Sequence, residues 1–336
     1  MIANSPIRIG ETTLANNVAL APMSGVSDLP FRRAGAATGA GLVVSEMVAC
    51  AELSTRRVDV VRRALGDPDV RPFVVQLAGR EPKWMAEGAR LAAAAGADIV
   101  DINMGCPARQ VTGALAGSAL MRDLNLAESL VRAAVDATPT PVTLKMRLGW
   151  DHDALNAPEL AARAEAAGVR LVTVHGRTRN QFYKGVADWR AVAAVKAATS
   201  LPVIVNGDVV DAAAARRALA AAGADGVMIG RASVGRPWLA GAIAAALAGG
   251  SAAERPPDGD AQFLILAQQY AGAAEVYGPK LGLRIMRKHL AGFVDAAPGL
   301  GDATTRRALR ARLCQSDSDA DVLSALERRM GLARAA

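Results

Sequence analysis

Ala97-Asp98-Ile99-Val100-Asp101-Ile102-Asn103-Met104-Gly105-Cys106-Pro107 is the stretch that decides the fold. Its first half is a short apolar, β-branched run, and Gly105 and Pro107 cut that run off in a turn. A strand therefore ends by handing an amide, Asn103, and a thiol, Cys106, to a loop. A cysteine is more often a small buried hydrophobe than a reagent. This one stands out because the same pattern, an apolar strand that ends in polar groups, recurs along the chain.

Working outward, short apolar runs lie at Val18–Pro22, Leu42–Met47, Phe73–Leu77, Ala97–Asn103, Val142–Met146, Leu171–His175, Val203–Asn206 and Gly226–Ile229. Most are apolar throughout rather than alternating, as strands covered on both faces are. Helical periodicity fills the gaps at Leu29–Thr38, Pro82–Ala95, Asn125–Ala137, Pro158–Ala167, Trp189–Ala198, Asp211–Ala222 and Arg236–Leu247. Leu53 to Leu65 has no clear period. Gly96, Gly168 and Gly223 each follow a helix, where a C-terminal cap is expected, and Ile7–Leu14 reads as a small hairpin. Eight β-α units in about 230 residues predict a (β/α)8 TIM barrel, since a doubly wound sheet of that size would be unusual. The barrel spans 1–248. Residues 249–260 have linker composition, and 261–336 show helical periodicity without a strand, which predicts a C-terminal all-helical domain.

The chain has 336 residues, 51% of them hydrophobic and 21% charged, enough for a full core and a second, smaller domain. A net charge of +7 makes an anionic partner plausible without identifying it. Aromatic residues are only 4%, which argues against a base-stacking surface for single strands. Three cysteines, at 50, 106 and 314, without a C-x-x-C pair, exclude a disulfide framework and a thiolate zinc site. Met1–Gly10 lacks the apolar segment of a signal peptide, and Leu239–Gly250 is too short to span a bilayer. A cytoplasmic protein with no metal and no membrane contact is expected, working as a monomer.

Barrel enzymes carry chemistry at the C-terminal ends of their strands. Here those ends hold Pro22-Met23-Ser24, Glu46, Gln76, Asn103 with Cys106, Lys145 with Arg147, His175 with Arg177, Asn206-Gly207-Asp208 and Gly230-Arg231. Glycines at the last two ends suit a phosphate cradle of backbone N–H groups, and Arg231 adds a forked donor. One phosphate site fits a flavin mononucleotide, whereas the G-x-G-x-x-G of a dinucleotide fold is absent after the first strand. Lys145 in a barrel mouth needs an anion, which the N1–C2=O edge of a reduced flavin supplies. Gln76 offers donor and acceptor to the ring's imide edge, and His175 can donate to the ring or phosphate. In the C-terminal segment, Arg284, Arg287 and Lys288 are spaced for one helical face.

Several of these stretches closely resemble the tRNA-dihydrouridine synthases, most of all the bacterial B-type subfamily. They are Ala21-Pro22-Met23-Ser24-Gly25-Val26-Ser27-Asp28-Leu29-Pro30-Phe31-Arg32, Asp101 to Pro107, Val174-His175-Gly176-Arg177-Thr178-Arg179, Asn206-Gly207-Asp208 and Met228-Ile229-Gly230-Arg231-Ala232. The resemblance covers nearly the whole barrel and continues more weakly through Met286-Arg287-Lys288-His289-Leu290. It implies an FMN enzyme that reduces the 5,6 double bond of a tRNA uridine, in the D-loop, with NADPH as reductant. By motif, FMN would meet Pro22, Met23, Ser24, Gln76, Lys145, His175, Asn206, Gly207, Asp208, Gly230 and Arg231. Cys106 would be the proton donor, and Asn103 would hold the uracil edge.

The chemistry of the residues agrees. Hydride added at C6 of uracil leaves charge that the C4 carbonyl accepts, and C5 then needs a proton. A thiol is mostly protonated at neutral pH yet acidic enough to give one. The base must leave the stack to react, at a cost of roughly a few kcal/mol. Arg177, Arg179, Arg284, Arg287 and Lys288, outside the mouth, would hold phosphates meanwhile. Where related sequences often carry more basic residues, this chain has Thr112-Gly113-Ala114, so weaker or displaced RNA contact is expected there. Two other readings are a reductase of free pyrimidines, against which the basic C-terminal extension argues, and a tRNA-binding folding factor with a vestigial flavin.

Overall fold

The computed structural model describes residues 6–249 and 256–331. A two-stranded hairpin, β1 (Arg8–Ile9) and β2 (Thr12–Thr13), precedes eight parallel strands. These are β3 (Val18–Leu20), β4 (Leu42–Ala49), β5 (Val74–Ala78), β6 (Ile99–Met104), β7 (Val142–Arg147), β8 (Val172–His175), β9 (Val203–Asn206) and β10 (Gly226–Ile229). Each pairs with the next, and β10 returns to β3, closing a TIM barrel. β4 runs on past the expected Met47 to Ala49, with a register shift between Val44 and Met47.

The helices that follow β3 to β6 are α1 (Leu29–Ala37), α2 (Cys50–Ser54), α3 (Val58–Arg63), α4 (Pro82–Ala94) and α5 (Arg109–Gly113). The next five are α6 (Leu124–Ala137), α7 (Ala157–Ala166), α8 (Trp189–Ala197), α9 (Ala212–Ala222) and α10 (Leu239–Leu247). The segment without a clear period, 53–65, is aperiodic because α2 and α3 are each under two turns long. Their termini follow local chemistry. Asp28, Asp123, Asp188 and Asp211 each accept a hydrogen bond from the third helical residue's N–H, supplying the caps of α1, α6, α8 and α9. Gly223 takes the left-handed conformation, φ 58°, that ends α9.

Two apolar layers hold the barrel. Ile7, Ile9 and Leu14 of the hairpin segment pack with Leu42, Val44, Val74, Ile99 and Ile204, so the hairpin plugs the end where the strands begin. The outer layer lies between strands and helices and is built from Val, Leu and many Ala side chains. The opposite end stays open and polar.

Four helices complete the chain: α11 (Gly259–Tyr277), α12 (Pro279–Ala296), α13 (Ala303–Leu313) and α14 (Asp319–Met330). α11 begins within the stretch of linker composition, capped by Asp258, and 250–255 of that stretch lie outside the described residues. These helices have their own core around Leu266, Met286, Phe293 and Leu326, joined by Trp238 from the barrel side. They meet the barrel beside β3: Lys288 donates to the Gly25 carbonyl, and the His289 ring lies 5.3 Å from that of Phe31. Among the described residues no helix is long and apolar enough to cross a membrane, and no group of three or more His, Cys, Asp or Glu could hold a metal ion.

Candidate active site

The open end of the barrel leads into a cavity of about 880 Å³, the size of a small-molecule site. Its walls are strand ends. Pro22, Met23, Ser24, Gln76, Lys145, His175, Asn206, Gly207, Asp208, Gly230 and Arg231 all line it, together with Asn103 and Cys106. Register explains the convergence: Asn103 pairs with Lys145 across β6 and β7, and His175 pairs with Asn206 across β8 and β9.

Lys145 is buried, and its ammonium donates to Asn206 Oδ1 at 3.2 Å. Burial, and then the like charge of Arg147, lower its pKa from 10.5 to about 8. A desolvated cation of this kind favours an anionic ligand. Asn206 is fixed in turn by donating to the Met228 carbonyl at 2.8 Å. The buried His175 ring faces Lys145, Arg147, Arg177 and Arg231, and burial first, then their charges, push it well below 6.5, so it is neutral at neutral pH.

Cys106 is half-buried and its backbone is held on both sides. Its N–H donates to Asn103 Oδ1 at 2.9 Å, and its carbonyl accepts from the Ser118 hydroxyl at 2.8 Å. Arg147, one pleat beyond Lys145, donates to the carbonyls of Gly105, Thr178 and Phe182, each at 2.8 Å. Sequence reasoning placed Arg147 at a strand end but gave it no part in the site. The signal was its i, i+2 spacing from Lys145, which puts both side chains on one face of the strand. Tyr183, also not anticipated, lines the cavity with the Arg231 and Arg147 guanidinium groups 4.7 and 5.5 Å from its ring centroid.

The basic residues expected outside the mouth are placed differently. Arg177 is fully buried, donating to the carbonyls of Lys184 and Gly185 and to both carboxylate oxygens of Asp208. It holds its own loop and cannot reach a phosphate outside. Asp208 also pairs with Arg231 and accepts from the Ala187 N–H, so it acts as counter-ion to two arginines at the cradle. Arg179 is half-buried between the rings of Trp150 and Phe182, at 4.6 and 4.7 Å, and donates to Thr112 Oγ1. Thr112 is therefore an internal docking point for Arg179, which accounts for a neutral residue there. Arg287 turns toward Ser316 and Asp317, Lys288 toward Gly25, and Arg284 alone of the three is exposed. The shared helical face splits because α13 and the barrel each claim one side of α12.

A model of the family described as dihydrouridine synthase (Dus) matches residues 19–329. The chain belongs to the dihydrouridine synthase family. A "Probable tRNA-dihydrouridine synthase" of Rhodobacter capsulatus is 56% identical over 281 residues, covering 83% of this chain and 86% of that protein. One from Rhizobium leguminosarum bv. phaseoli is 51% identical, covering 86% and 88%. A "tRNA-dihydrouridine synthase B" of Pseudomonas putida is 43% identical, covering 88% and 87%. Among solved structures, a 2-naphthoyl-CoA reductase complex aligns with a TM-score of 0.57 at 15% identity, over 74% of this chain and 53% of that one. A 6-hydroxypseudooxynicotine amine oxidase from Pseudomonas geniculata N1 gives 0.55 at 16% identity, over 73% and 49%. These two likenesses concern the fold alone.

The cavity of this dihydrouridine synthase family member fits the flavin that the family implies. Lys145 is a buried cation with one hydrogen bond and N–H groups to spare. Gly207, at φ 114°, has no room for a side chain, since a Cβ there would lie 2.9 Å from the His175 ring. At Gly230, beside Arg231, a Cβ would meet nothing nearer than 3.9 Å, so that turn is open backbone of the kind that receives a phosphate.

Proposed function

We propose that the chain reduces the 5,6 double bond of a D-loop uridine in tRNA to dihydrouridine, with FMN as cofactor and NADPH as reductant. It would do so as a cytoplasmic monomer. The observation that carries this reading is an accessible thiol, Cys106, in the same cavity as the buried ammonium of Lys145 and the glycine turns of β9 and β10. Bound flavin supplies the hydride for C6.

The protein does the rest. Lys145 meets the anionic edge of the cofactor, while Gly207, Gly230 and Arg231 receive its phosphate. Asn103 donates to a carbonyl of the base, and Cys106 Sγ gives up its proton to C5. The barrel mouth accepts one base, so the uridine must be extruded, and that needs the sugar–phosphate chain held outside. The helical domain, with Arg284 exposed beside the Lys288–Gly25 contact, is the surface proposed to hold it.

The test is to incubate purified protein, FMN and NADPH with unmodified tRNA or with free uracil. Dihydrouridine in the tRNA and none from uracil supports the proposal. Comparable reduction of free uracil makes it a small-pyrimidine reductase, and failure to take up FMN overturns both readings.

A further inference from the structure

The segment that joins β10 to α10 is wedged between the cavity and α12. Val234 and Arg236 line the cavity, while Gly235, between them, lies against the helical domain. A Cβ on Gly235, at φ 73°, would lie 2.5 Å from the His289 carbonyl oxygen, and one on Gly292 would collide with the Val234 carbonyl. Backbone therefore meets backbone with no side chain between, and α12 supports the segment from outside. The segment's own backbone hydrogen bonds stay within it: the N–H groups of Ser233, Val234 and Arg236 donate to the carbonyls of Gly230, Arg231 and Ser233. The contact with α12 thus fixes where residue 236 starts, and its side chain runs to the cavity wall.

Arg236 is a half-buried cation that pairs with no carboxylate among the described residues, and burial alone lowers its pKa. Its Nε donates to the Ala232 carbonyl at 3.0 Å, which anchors the guanidinium and leaves its terminal nitrogens to a ligand. Drawing a cation out of water without a counter-ion costs free energy, which an incoming anion offsets. Arg231 is placed differently. Its guanidinium and that of Arg177 share Asp208, so two positive charges and one negative leave a single positive charge there. Arg236 adds a second. A phosphate monoester carries nearly two negative charges at neutral pH, and a guanidinium offers it paired donors.

We propose that Arg236 binds a phosphate monoester, and that through it the cavity selects a phosphorylated ligand over its dephosphorylated form. FMN carries such a group, and so does NADPH at its 2′ position. Gly230, on the same segment, favours that of the flavin. The identity of the ligand rests on the function proposed above; the anion site does not. The contact between Gly235 and Gly292 makes the helical domain the outer support of this arginine.

The experiment measures affinity for FMN and for riboflavin, by fluorescence quenching, in wild type, Arg236→Met and Arg236→Lys. Arg236→Met should weaken FMN about ten- to a hundredfold, the range of charged hydrogen bonds, and leave riboflavin unchanged. Arg236→Lys should recover at least about threefold of that loss, because lysine restores the charge but not the Nε–H bond to Ala232. If the 2′-phosphate of NADPH fills the site, FMN affinity holds and the preference for NADPH over NADH in reducing bound flavin disappears instead. Inorganic phosphate gives a readout without flavin. It should raise the Tm of wild type above that in chloride of equal ionic strength, and should not do so in Arg236→Met. The proposal is overturned if Arg236→Met keeps both preferences, or if Arg236→Lys loses the preference as fully as Arg236→Met, which would show that the arginine only holds Ala232. If wild type binds neither flavin, the function proposed above falls, while the phosphate shift still decides the site.

Discussion

The Nε of Arg147 donates to the carbonyl of Gly105 at 2.8 Å, so the residue before the thiol is tied to a neighbouring strand as well as, through its N–H and Asn103 Oδ1, to its own. The same guanidinium reaches Thr178 and Phe182, and burial lowers its pKa from 12.5 to about 10, leaving it charged at neutral pH. The thiol loop and the loop after β8 are therefore fixed against each other through one side chain.

Replacing Arg147 with alanine should leave three carbonyls without their donor. Each charged hydrogen bond is worth about 1.5–3 kcal/mol and the three are not additive, so a loss of about 3 kcal/mol is expected in urea unfolding. Hydrogen exchange should rise at 105–118 and 178–185 and stay unchanged in the β1–β2 hairpin. Uniform exchange across the barrel would show that Arg147 supports the fold generally and not these loops.

Lys145 gives a pH dependence of known sign. Its pKa near 8 in the unliganded protein means that the cation is lost as pH rises through that value. An anionic ligand that needs the ammonium must then take up a proton with it. FMN affinity, followed by quenching of its fluorescence, should fall above about pH 8, by at most about tenfold per pH unit. In Lys145→Met, affinity should be weaker and flat over that range. A parallel decline in both proteins would assign the effect elsewhere.

Asp28 should govern part of the acid stability. Burial first, then the charge of Glu46, raises its pKa from 3.8 to about 6, against the Phe31 N–H, Lys288 and Arg32. The folded protein thus binds more protons than the unfolded chain between about pH 4 and 6, and stability falls as pH rises through that window, by on the order of 3 kcal/mol. Asp28→Asn keeps the cap on α1 and removes the charge. Its stability relative to wild type should climb from about pH 4 to 6 and then level off. His289, driven down to about 3 chiefly by burial, acts with the opposite sign but is present in both proteins. A constant difference between the two would contradict this account.

On α12 the three basic residues should separate. Arg284→Ala is expected to weaken tRNA binding and reduce the salt slope by about one. Arg287→Ala should change the slope little and lower the stability of the helical domain by about 1 kcal/mol, because its guanidinium already faces Ser316 and Asp317. Equal salt slopes for the two variants would show that the exposed position is not the one at the RNA.

Much of this was legible in the sequence, and the part that was not has a physical pattern. Strands such as Val203–Asn206 declare themselves by apolar runs bounded by Gly and Pro, and a closed parallel barrel then sets which ends meet. The same rule brought Lys145, His175, Asn206 and Cys106 to one cavity. It fails beyond the strand end. Arg177 and Arg179 lie two and four residues past His175, and sequence distance does not say that one turns inward to Asp208 and the other onto Trp150. Asp101 was visible at the head of the motif, but its hydrogen bonds join it to Gln76 and Thr143, which are distant in sequence and adjacent only through strand register.

The central claim is that Cys106 delivers the proton, and the dihydrouridine content of tRNA made by Cys106→Ala tests it most directly. The variant should bind FMN and tRNA as wild type does, since the side chain is half-buried and its backbone is held by Asn103 and Ser118. Dihydrouridine formation should fall by roughly 10²–10⁴, the usual contribution of a general acid. Undiminished dihydrouridine from that variant would contradict the account.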